Sequence, residues 1–208
     1  MARSLEENLG HPYRAKVTGS NTDVRRPEMR ASMLQANIES FGCLGAENER
    51  RVRAQCSEAV DGIEAAVRTA WLPLRYGIEM VQAVEDVCGR EVSLQLAREA
   101  IARSMQGTLL GPILNGLMRL GLGPEHAFKR APAGWGLVYK NCGNIVYTTA
   151  PNHVTLRLQG APKAMRELPY LHSIGGSFQG MVMALGVDDA TVSVRDDASG
   201  VIYDIRWG

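Results

Sequence analysis

Residues 153–158, His153-Val154-Thr155-Leu156-Arg157-Leu158, alternate polar and apolar side chains without a break, and their reading decides the fold. Side chains in a strand point to opposite faces in turn, so Val154, Leu156 and Leu158 fall on one face and His153, Thr155 and Arg157 on the other. That is the pattern of an antiparallel strand with one face buried and one solvated. Immediately upstream, Ala150-Pro151-Asn152 is turn chemistry, and Asn144 to Thr149 is a second β-prone run. Asn141-Cys142-Gly143 supplies another turn, which makes Trp135 to Tyr139 a third short strand of the same meander. Downstream, Asp196-Asp197-Ala198-Ser199-Gly200 separates Thr191 to Arg195 from Val201 to Trp207 and predicts a terminal hairpin.

Around this sheet the period changes to that of helices. Pro169 opens a late helix whose Ile174, Phe178, Met181, Val182 and Leu185 are apolar, with Gly186 at its end. Met29 to Phe41 carries Ala31, Leu34, Ile38 and Phe41 at three- and four-residue steps, and Gly42 stops it. Glu47 to Trp71 repeats Val52, Cys56, Val60, Ile63, Val67 and Trp71; Gly62 weakens it enough to expect two shorter helices. Pro73 suits the first turn of the next helix, whose stripe is Leu74, Ile78, Val81, Val84 and Cys88 and whose stop is Gly89. Val92 to Leu109 and Ile113 to Leu120 complete the helical half. Helices, a meander, one helix and a hairpin make an α+β fold: an N-terminal helical layer packed on a mostly antiparallel sheet, with one late helix and a terminal hairpin. Alternating βα units are missing, which disfavours a doubly wound nucleotide fold. Residues 1–28 are polar and turn-rich and read as a flexible or loosely docked arm, leaving 29–208 as a single domain.

Composition narrows the function. The 208 residues are 45% hydrophobic, enough for a core, while 23 Lys+Arg against 22 Asp+Glu leave a net charge of +1. That balance offers no electrostatic footprint for nucleic acid, and Asp23 and Glu28 interrupt the small cluster Arg25, Arg26 and Arg30. No apolar window reaches the length of a bilayer span and Met1 to Gly10 is not a secretory signal, so a cytoplasmic protein without membrane insertion is expected. Cys43, Cys56, Cys88 and Cys142 are far apart, as are His11, His126, His153 and His172, so neither a disulfide framework nor a zinc site is expected.

Catalytic arrangements are thin. Ser177, His172 and Asp188 have no nucleophile elbow, and the glycines of 107–123 and 175–180 match no phosphate-loop pattern. Gly176 and Gly180, four apart, instead suit close helix packing. Asp188, Asp189, Asp196 and Asp197 fit turn chemistry better than calcium. No cofactor is expected and no catalytic residue is assigned; an enzyme built on Cys142 or His172 is the weaker alternative. Apolar side chains exceed what one core stripe needs. Trp71, Met105, Leu109, Leu114, Met118 and Trp135 are candidates to line a pocket for a small apolar ligand. Leu117, Phe178, Met181 and Val182 are candidates for an interface, either of a homodimer or of a structural self-assembling subunit.

Trp71-Leu72-Pro73-Leu74, the helix Arg75 to Cys88, Ala97-Arg98-Glu99-Ala100 and the meander from Trp135 resemble an uncharacterised family of about 200-residue myxobacterial proteins. The C-terminal half is similar to the ligand-binding superfamily of vinyl-4-reductase domains, TRAPP-type tethering subunits and haem–nitric-oxide-binding domains. Tyr139-Lys140-Asn141-Cys142-Gly143 departs from the Y-x-S-x-R motif of the haem branch, and the cysteine cluster of the vinyl-4-reductase branch is missing. The resemblance implies a fold with an apolar pocket, without haem or metal. The function expected is a non-catalytic sensory or adaptor domain that binds a partner protein and a small apolar ligand.

Overall fold

A computed structural model describes residues 26–107, 123–208 and positions 112, 116, 119 and 120; within 102–107 it describes the backbone alone. The chain is α+β, with two antiparallel sheets among the described residues. The larger sheet, in the order β4-β5-β7-β6, contains β4 (Asn144–Ala150), β5 (His153–Gln159), β6 (Thr191–Asp197) and β7 (Gly200–Arg206). Val154, Leu156 and Leu158 stand opposite Ile205, Tyr203 and Val201, and all six are fully buried, as the alternation requires. On the solvent face His153 bonds Asp204 beneath Thr155. The turns fall where expected: Asn141 and Asn152 take positive φ, and Gly143 has φ +79 with the backbone of residues 159–161 against its Cα.

The helical layer consists of α1 (Ala31–Ser40), α2 (Ala46–Gln55), α3 (Ser57–Glu64), α4 (Leu74–Cys88) and α5 (Arg90–Gly107). The Glu47–Trp71 run is indeed two helices, but the break falls at Cys56 (φ −120, ψ 38), and Gly62 stays inside α3. Gln35 of α1 terminates α3 by donating to the carbonyls of Ile63 and Ala66 at 3.1 and 2.8 Å. Trp71 is therefore not helical. It starts a short strand β2 (Trp71–Pro73), and Pro73 caps α4 from outside instead of opening its first turn. Gly89 closes α4 with φ +85.

A second sheet, in the order β2-β1-β3, ties this layer to the chain that enters the meander. Its centre is β1 (Glu28–Arg30), so Glu28, placed in the arm by sequence, already pairs with Pro73 and Lys140. The remainder of the arm lies outside the described residues. The outer strand is β3 (Tyr139–Lys140), and here the sequence reading needs a correction. Trp135 belongs not to a strand but to helix α7 (Ala131–Val138), which follows the short α6 (Pro124–Phe128). Pro132 stands in its first turn, where a missing N–H costs nothing. Only Tyr139 and Lys140 are extended, because β1, more than 100 residues earlier, pairs with them.

The late helix, α8 (Leu168–Ala184), lies between sheet and helical layer. A Cβ on Gly175 would meet Val194 of the sheet at 3.1 Å, and one on Gly176 would meet Ala97 and the Leu94 carbonyl of α5 at 3.1 Å. One on Gly180 would stand 2.5 Å from the Arg98 carbonyl oxygen. Three glycines thus let α8 touch both neighbours along its backbone. No helix among the described residues is long and apolar enough to cross a membrane.

Candidate functional site

Beside the glycine contacts of α5 and α8, small side chains help to line an unfilled space. Ala97 and Ala100 of α5 face Ala131 and Gly134 of α7 across a cavity of about 160 Å³. Met33 of α1, Met80 and Val84 of α4, and Ile174, Phe178 and Met181 of α8 supply larger apolar walls. Trp135 and Tyr139, their rings 4.1 Å apart, close one side together with Tyr170.

Several of the polar side chains at this surface are satisfied by the protein. Ser177 donates to the Ser173 carbonyl at 3.1 Å, and Ser40 to that of Asn37 at 2.6 Å. The Tyr139 and Tyr170 hydroxyls are 3.2 Å apart, and Tyr170 also donates to Sδ of Met29. Burial holds both phenols well above the ordinary tyrosine range. Two groups differ. Trp135 is 7% exposed and its Nε1–H has no acceptor. Arg130 carries the one charge among the described lining residues, and it is exposed, with no carboxylate partner among the described residues.

Of the pocket residues expected from sequence, Trp135 lines this cavity and Trp71 does not. Trp71 lies on β2 beneath Arg30, whose guanidinium is 3.7 Å from its ring centroid. Arg30 also donates to the Leu137 and Thr69 carbonyls, so it fastens α7 to the small sheet. Leu109, Leu114 and Met118 lie outside the described residues, and the side chain of Met105 does too. The interface residues point inward. Val182 is fully buried, Phe178 packs edge-on against Tyr203 and Phe128, and Met181 faces the cavity. The sheet covers one side of α8 and α5 the other, while Leu168 and Met183 of the same helix are exposed. Leu117 is outside the described residues. Sequence reasoning missed Arg130 and the Tyr139–Tyr170 pair; a cation just before Ala131-Pro132 was the one available signal, and nothing local joins tyrosines 31 residues apart.

The alternative nucleophiles are poorly placed for catalysis. Cys142 is 1% exposed, its thiol pushed up to about 11 by burial and directed at the Lys140 and Glu28 carbonyls. His172 meets the Arg90 guanidinium at 2.6 Å, and burial with that cation lowers its pKa. The aspartates do local work: Asp196 pairs with Arg166, Asp197 accepts from Ser199 in the hairpin turn, and Asp189 from the Gly208 N–H. No group of three metal-ligating side chains occurs among the described residues.

The fold has known counterparts. It is similar to the crystal structure of the Fe(II) unliganded H-NOX protein from K. algicida, with a TM-score of 0.56 at 10% identity over 86% of this chain and 97% of that one. An alanine-to-glycine mutant of that protein is similar to the same extent, with a TM-score of 0.57, 11% identity and equal coverage. At such identity the likeness is one of fold. An iron porphyrin needs an axial ligand such as His, Cys or Tyr. The described cavity lining holds neither His nor Cys, and its two phenols are bonded to each other and kept protonated, so this donor set does not fit haem. No curated protein matches the chain. Residues 44–208, which contain the sheet, α8 and most of the cavity, match the family described as protein of unknown function, DUF2378, and the chain belongs to that family.

Proposed function

We propose that the protein is a sensory or adaptor domain that holds a small apolar ligand in the cavity between α5, α7 and α8 and reports it to a partner protein. One observation carries this reading. The cavity is walled by side chains of the helical layer and of the late helix together, so a ligand in it touches both at once and favours whichever packing it fits better. Its volume is close to that of cavities which stay dry and take a benzene-sized molecule. The reading is non-catalytic: neither Cys142 nor His172 reaches the cavity with an activated nucleophile. Native mass spectrometry of the purified full chain, together with thermal denaturation in the presence of 1-hexanol, tests it. A co-purified small molecule, or a rise in melting temperature that saturates with 1-hexanol and vanishes in Ala100→Phe, supports the reading. Absence of both refutes it.

A further inference from the structure

The cavity is chemically one-sided. Its described lining contains a single charged residue, Arg130, and no carboxylate faces it. Arg130 is also the N-cap of α7, where no side chain caps the helix and the first turn contains no acid. Its neighbour Ala131 lines the cavity as well, so the positive end of the helix dipole and a cationic residue share one edge of the cavity. One turn further along α7 stands Trp135, buried, with an indole N–H that lacks an acceptor. A buried donor left unpaired is costly, and an anion at a cationic helix start is favoured. All three features ask for an acceptor, and none asks for a donor. Apart from neutral polar groups such as Asn37, Ser93 and Ser173 and the two phenols, the wall is apolar, with Met33, Met80, Ile174, Phe178 and Met181.

From this we infer that the ligand is a small amphipathic carboxylate whose headgroup meets Arg130 and whose apolar part of about six to eight carbons fills the cavity. The inference rests on the ligand-binding reading above and adds the ligand's charge. Isothermal titration calorimetry of the full chain with octanoate and with 1-octanol, in low salt, separates the two. Arg130→Gln should weaken octanoate about tenfold and change 1-octanol less than twofold, with Arg130→Lys retaining part of the octanoate affinity. Ala100→Phe should abolish both, because it fills the cavity. Wild-type protein that binds 1-octanol but not octanoate overturns the carboxylate assignment and leaves the cavity reading standing. So does an Arg130→Gln variant that binds octanoate unchanged. Octanoate that still binds Ala100→Phe sits on the surface and also overturns it. Wild-type protein that binds neither probe overturns the carboxylate assignment, and the cavity reading is then decided by the native mass spectrum and the 1-hexanol melt.

Discussion

Replacing Gly180 by alanine tests the packing of the whole molecule, because it adds one methyl group where α8 crosses α5. The new Cβ would lie 2.5 Å from the Arg98 carbonyl oxygen and 2.7 Å from the Arg98 Cα. Ordinary contact begins at 3.4 Å, so the helices must separate by about 0.9 Å at this point. Backbone cannot rotate aside as a flexible side chain does, and the shift would carry Ala97 and Ala100 with it. Two effects oppose each other. Alanine is favoured over glycine within a helix by about 1 kcal/mol. Overpacking a close crossing costs up to about 3 kcal/mol. The expected net result is a destabilisation of about 2 kcal/mol, or a fall in melting temperature of about 4–8 °C for a chain of this size. Urea unfolding followed by circular dichroism measures it. Gly136, exposed within α7 with nothing within 4 Å of a built Cβ, is the control. Alanine there should stabilise by up to about 1 kcal/mol. A Gly180→Ala variant as stable as wild type would refute the close crossing of α5 and α8.

Three further outcomes are expected. Burial raises Cys56 and Cys142 to about 11, whereas the unfolded thiols titrate near 9, so their contribution is complete below pH 9 and is lost as the pH rises from there through 11. Urea unfolding between pH 8 and 11 should show that loss, reduced in Cys142→Ala; a flat profile would exclude it. Arg30→Ala should cost about 1–2 kcal/mol by removing the Trp71 stack and two carbonyl bonds, and Arg30→Lys should not restore it, since lysine lacks the planar fork; full rescue in thermal melts would contradict this assignment. Val182→Glu should unfold the protein, because that side chain is enclosed by its own sheet and helices; a folded variant whose mass falls in sedimentation equilibrium would instead make α8 an interface.

The sequence by itself determined the parts whose signal is local. Alternation in His153 to Leu158 fixed which face of β5 is buried, and the turn at residues 196–200 paired β6 with β7, since a hairpin needs only neighbouring residues. The helix stops at Gly89 and Gly186 were likewise legible, as each requires a positive φ at one position. Trp135 misled because aromatic and β-branched residues around a glycine have strand propensity, and what decides between strand and helix there is the distant partner β1. Trp71 misled for the same reason: its apolar spacing continues the helical pattern, yet Gln35 ends α3 seven residues earlier from another helix. The cavity was beyond sequence reading altogether. A void is the difference between the space that glycine-mediated crossings enclose and the side chains available to fill it, so it depends on how α5, α7 and α8 are placed and not on any one of them. Arg130 gained its role in the same way: in the chain it is one cation among 23 Lys and Arg, and only the fold makes it the one charge among the described residues that line the cavity.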